Sequence, residues 1–215
     1  MSTEAILNLV FSIVTAAIAV AAVLISVVQI RKSNKQALFD RRLKAYLTVK
    51  WMQSLCSEHQ SIAKTYIKEA ETDLLLSIDF LFILMTNCTF LEEIGPAITK
   101  TVDDKELHRK YLFKIEELKN LCEEVRLIFP EKIGHELADF IFYYEEMLVS
   151  IFKYKIAIDN IRVECRANME PPRTNNQLEN KQRKEVTKYI SGTFGLAERL
   201  LKNNVFELAK QSIKL

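Results

Sequence analysis

Residues Asn8–Gln29 read NLVFSIVTAAIAVAAVLISVVQ, and this stretch decides the fold class. It lies within Ala5–Ile30, a run of 26 residues without a charge. At about 1.5 Å per residue, an α-helix of that length exceeds the roughly 30 Å hydrocarbon core of a bilayer and spans it with some tilt. A cleaved leader is the rival reading, because Ala19-Val20-Ala21 has a small-x-small form. Against it, the preceding MSTE carries no Lys or Arg, and the apolar run continues past Ala21 to Val28. A retained anchor is expected.

Between Ala5 and Val28 the only polar residues are Asn8, Ser12, Thr15 and Ser26. With Ala19, Ala22 and Gln29 they recur at alternating steps of four and three, the 3.5-residue period of a left-handed helix pair. Phe11, Val14, Ile18, Leu24 and Ile25 lie off this stripe and suit lipid. Helices gain little hydrophobic energy by associating inside a bilayer. Small residues that allow close backbone approach, and polar groups that bond across, hold them together instead. The stripe is expected to face other copies of the chain, as a sealed seam or the wall of a water-filled path. The competing reading is scattered Ser and Thr whose hydroxyls bond back to their own helix.

Charge sets the orientation. Glu4 precedes the span without a basic residue, whereas Arg31, Lys32, Lys35, Arg41, Arg42 and Lys44 follow it. The positive-inside rule then places the N-terminus outside and the remainder in the cytosol, as a single-pass protein of the cell inner membrane. Arg31, Lys32, Lys35, Arg41 and Arg42 serve as topology signals or as contacts to anionic headgroups.

The body is expected to be helical. The first Gly and Pro are Gly95 and Pro96, so nearly half the chain lacks both breakers. Phe39, Leu43, Tyr46 and Leu47 share one side of a helix. Leu74–Leu91 is the most apolar part of the body, but Asp79 and Asn87 make a central helix a better reading than a second span. Thr101 or Asp103 can cap a helix running to Phe129, PEKIG interrupts the chain, and a long aromatic-rich helix resumes at His135. After the MEPPRTNNQ loop, two helices are expected, Leu178–Ile190 and Phe194–Ile213, separated near Gly192. The fold class is thus all-α: an anchor over 1–30, a juxtamembrane and first cytosolic helix over 31–70, and a helical bundle over 71–215.

Signals for chemistry are missing. The four glycines form no phosphate-binding fingerprint, and Cys56, Cys88, Cys122 and Cys165 are too far apart for a metal motif. A net charge of +2 lacks the basic excess of a nucleic-acid binder. No catalytic residue, cofactor or metal is assigned, and the chain is read as a non-enzyme.

The layout of one N-terminal span, the basic juxtamembrane stretch QIRKSNKQALFDRRLKAYL at Gln29–Leu47 and a helical body resembles small bacterial membrane proteins of antiviral loci. It looks most like the membrane accessory protein of type VI-B CRISPR systems. That resemblance implies assembly into membrane pores and a degenerate HEPN-like body. Active HEPN ribonucleases carry a His five to seven positions after an Arg, whereas Arg126 and His135 are nine apart. The expected function is a homo-oligomeric, pore-forming or membrane-perturbing protein of antiviral defence. Its partners are other copies, the bilayer and a cytosolic protein or signal. The alternative is a membrane-tethered interaction module without a pore.

Overall fold

The computed structural model describes residues 3–70, 105–168 and 177–213. The described residues form six helices: α1 (Thr3–Glu58), α2 (Gln60–Ala70), α3 (Lys105–Ile128), α4 (Glu131–Asn168), α5 (Gln177–Lys202) and α6 (Val205–Ile213). Among them there is no strand. Leu74–Leu91 and the caps at Thr101 and Asp103 lie outside the described residues, as does the MEPPR loop.

The chain divides into two compact units, and the boundary falls inside α1, after Arg41. The first contains the charge-free stretch. The second runs from Arg42 to Ile213 and carries the core. At the core's centre is α4, which packs against α3 on one side and α5 on another. Its Leu137, Phe140, Ile141, Tyr144, Met147 and Leu148 are all inaccessible to solvent. These positions cover more than one face, as a helix flanked on two sides requires.

On α3, Tyr111, Ile115, Leu118, Cys122 and Val125 follow a helical period and form the buried face. Tyr111 stacks on Phe152 of α4 with ring centroids 4.6 Å apart. The burial on α1 differs from the expected face. Ala45, Tyr46, Val49, Met52 and Cys56 are buried, whereas Leu43 is exposed and Leu47 half-buried. The apolar positions alone do not reveal this rotation, because Ala45 and Cys56 carry a weaker signal than Leu.

The C-terminal break is also displaced. Gly192 does not end a helix: α5 runs through it to Lys202. A Cβ there would lie 2.5 Å from the Tyr143 ring, so the glycine is a notch that lets α4 approach. Next to it, the buried Thr193 hydroxyl lies 2.9 Å from the Tyr143 carbonyl on α4 and 2.7 Å from the Tyr189 carbonyl on its own helix. The actual break is at Asn204, whose φ of 52° is the left-handed conformation that terminates helices.

Candidate functional site

From Phe11 to Ile30 the helix buries no side chain. Phe11, Ile18, Val20, Leu24 and Val28 are each 61–65% exposed, although they point in different directions around the axis. A helix that is apolar on every side and buries none of its side chains over this stretch is suited to lipid or to packing with other helices. It is the one helix, among the described residues, long and apolar enough to cross a membrane.

All seven stripe residues, Asn8, Ser12, Thr15, Ala19, Ala22, Ser26 and Gln29, lie on this helix and are exposed. The hydroxyls have partners within the helix. Ser12 Oγ donates to the Asn8 carbonyl at 2.9 Å, Thr15 Oγ1 to the Phe11 carbonyl at 2.8 Å, and Ser26 Oγ to the Ala22 carbonyl at 2.8 Å. Each hydroxyl has a single proton, so the stripe offers small size and oxygen lone pairs to a neighbour, and its amide donors come from Asn8 and Gln29. The stripe is also not straight. On a 3.6-residue helix a seven-residue repeat drifts by about 20° per heptad, or roughly 60° over the three heptads from Asn8 to Gln29.

Of the basic residues after the span, Arg31, Lys32, Lys35 and Arg41 are exposed. Arg42 is half-buried and has an intramolecular role. Its Nε donates to the Ile128 carbonyl at 2.5 Å and its Nη1 to the Ser212 carbonyl at 2.7 Å. Those carbonyls belong to the last turns of α3 and α6, where helices leave backbone acceptors unpaired and carry partial negative charge. One planar guanidinium thus satisfies two helix ends. The run of positive charge held no sign that Arg42 differs from Arg41.

Within the second unit, α1 and α3 form the walls of a cleft of about 510 Å³. Leu47 and Trp51 contribute from α1 and Leu121 from α3, with Lys44 on the first wall and Glu117 and Glu124 on the second. Lys114 pairs with Glu117 at 2.9 Å. Trp51 is 48% exposed and is the chain's single tryptophan. Sequence reading passed over it, since an isolated Trp in an amphipathic stretch has no motif.

Several titratable groups of the body are engaged in packing or local ion pairs. Glu145 of α4 is buried with Lys119 Nζ 3.7 Å away. Burial pushes its carboxyl above the ordinary range, while Lys119 pulls it back. Arg126 pairs with Glu123 at 2.7 Å, and the His108 ring lies against Phe152. Cys56 and Cys122 are free thiols, both buried, and burial pushes both thiols up, away from the reactive thiolate. Among the described residues, no group of three or more His, Cys, Asp or Glu side chains is arranged to hold a metal ion. No protein-family model, curated protein or solved structure matches the chain.

Proposed function

We propose that this is a homo-oligomeric single-pass membrane protein that perturbs the bilayer, by a pore or by local disruption, in bacterial antiviral defence. The observation that carries this reading is the stripe from Asn8 to Gln29 on an otherwise apolar, unpacked helix. In lipid, two such helices come closest where their side chains are smallest. The roughly 60° drift of the stripe is cancelled if the helices cross at about +20° and wind left-handedly. Asn8 and Gln29 then supply amide donors near the two ends, and the hydroxyl lone pairs between them accept from a neighbour or from water. The defence role comes from the resemblance in layout. In this reading the N-terminus is outside the inner membrane and the helical body is cytosolic, arranged as a bundle.

The test is leakage of a small dye from liposomes containing the full chain. The wild type should release dye, and the combined substitutions Asn8→Leu, Ser12→Leu and Thr15→Leu should abolish release by adding bulk along the seam. No leakage from the wild type, or equal leakage from the variant, refutes the perturbing role.

A second reading, a membrane-tethered interaction module, is favoured by one specific observation. Ser12, Thr15 and Ser26 already spend their protons inside their own helix, so they require no neighbour. This reading predicts that replacing residues 5–28 with an unrelated apolar span preserves function.

A further inference from the structure

We propose that the cleft between the Lys44–Trp51 segment of α1 and the Lys114–Glu124 segment of α3 docks the same cleft of a second copy, about a two-fold axis, with each Trp51 entering its partner. This extends the self-association reading from the anchor to the body. It rests on different residues, so either contact can fail alone.

Three features specify the occupant. First, an apolar strip lies open in a cleft whose rim is polar: Trp51 is half-exposed, with Leu47 and Leu121 also in the lining, while Thr48, Asn120 and the charged residues surround them. A partly exposed Trp in a concave setting is the kind of side chain that anchors an interface once a partner excludes water. Second, charge is segregated between the walls, with Lys44 on α1 and Glu124 on α3. Among the described residues neither has an ion-pair partner, whereas Lys114 and Glu117 already neutralise each other. Third, the pattern complements itself. A two-fold axis running along the cleft exchanges its walls, so α1 of one copy faces α3 of the other and every contact is made twice. Arg42 reaches the Ile128 carbonyl, so Lys44 and Glu124 lie at the same end of the cleft, and rotation about that axis sets Lys44 of one copy against Glu124 of the other. A partner of uniform charge would leave one wall facing its own sign.

The test uses the full chain in mild detergent and reads Trp51 emission, which reports this cleft alone because no other tryptophan exists. Concentrating the wild type should shift the emission to the blue and protect it from acrylamide, and dilution should reverse both. Lys44→Glu and Glu124→Lys should each weaken the association about tenfold, because either change sets two like-charge contacts in every dimer. An equimolar mixture of the two variants should recover it. In the mixed dimer the two substituted side chains face each other with opposite charge, and the other pair remains Lys44 with Glu124. Circular dichroism controls for folding. Emission and quenching that do not change with concentration overturn the proposal, as does a mixture that behaves like the separate variants. The Asn8, Ser12 and Thr15 substitutions should leave Trp51 protection in place, so loss of the anchor seam and loss of the body contact are told apart.

Discussion

Arg42→Ala should destabilise the helical body far more than its exposed neighbour Arg41→Ala. The Arg42 guanidinium makes two charge-assisted hydrogen bonds, to the Ile128 and Ser212 carbonyls. Such bonds contribute about 1.5–3 kcal/mol each. Arg42 is only half-buried, so water recovers part of the loss when the side chain is removed, and about 3 kcal/mol is expected for the pair. For a body of this size each kcal/mol moves the melting midpoint by about 2–4 °C, giving a drop of roughly 6–12 °C. Arg42→Lys should recover about half, because one ammonium cannot reproduce the fixed fork that reaches both carbonyls. Arg41→Ala removes the same charge from a solvated site and should cost less than about 0.5 kcal/mol. Thermal circular dichroism of the full chain in mild detergent measures all three, with the body's transition read as a midpoint. Equal midpoints for the Arg41 and Arg42 variants would mean that the clamp contributes nothing and that Arg42 is one more juxtamembrane charge.

Gly192→Ala should destabilise the body by about 1–2 kcal/mol, because its new methyl meets the Tyr143 ring at 2.5 Å and the overpacking outweighs the helix-propensity gain of about 1 kcal/mol. In a Tyr143→Ala background the same change should become stabilising by that propensity term, and a urea midpoint that moves the same way in both backgrounds sinks the notch argument. Glu145 has a pH signature: its carboxyl is raised in the folded state, so the folded chain holds a proton that the unfolded chain has released. Stability should therefore fall as pH rises from about 4.3, the ordinary Glu value, through the raised one. Glu145→Gln should remove that component, and identical pH profiles of the urea midpoint for variant and wild type would contradict it.

The sequence carried the class of structure because its strongest signals are long-range averages. Twenty-six uncharged residues and a chain free of Gly and Pro up to Ile94 leave little besides helix, and helix is what forms over the described residues of that stretch. It carried a break within PEKIG too, since proline cannot donate to the helix before it, but the interruption is confined to Phe129 and Pro130: α4 begins at Glu131, four residues before the expected His135. The misplaced break at Gly192 shows where such reasoning stops. Glycine weakens a helix by about 1 kcal/mol, less than the α4–α5 contact can return when Tyr143 and Thr193 sit against it. Asn204 ended the helix instead, and Asn is a weaker signal than Gly because most Asn residues do not adopt positive φ.

The candidate sites divide along the same line. A stripe repeating every 3.5 residues is local periodicity, so a single stretch of sequence displays it. The Arg42 fork joins residues 86 and 170 positions apart, and the cleft sets Lys44 opposite a helix that begins at Lys105. No window of sequence holds both ends of either feature. Arg41 and Arg42 make the point at single-residue resolution: adjacent and identical in chemistry, they are turned about 100° apart by the helix that carries them. One is left in solvent while the other reaches two helix ends. Counting charge assigns them one role, whereas the rotation between them assigns two. That is why comparing the Arg41 and Arg42 substitutions separates the loss of a solvated charge from the loss of a contact that holds the body together.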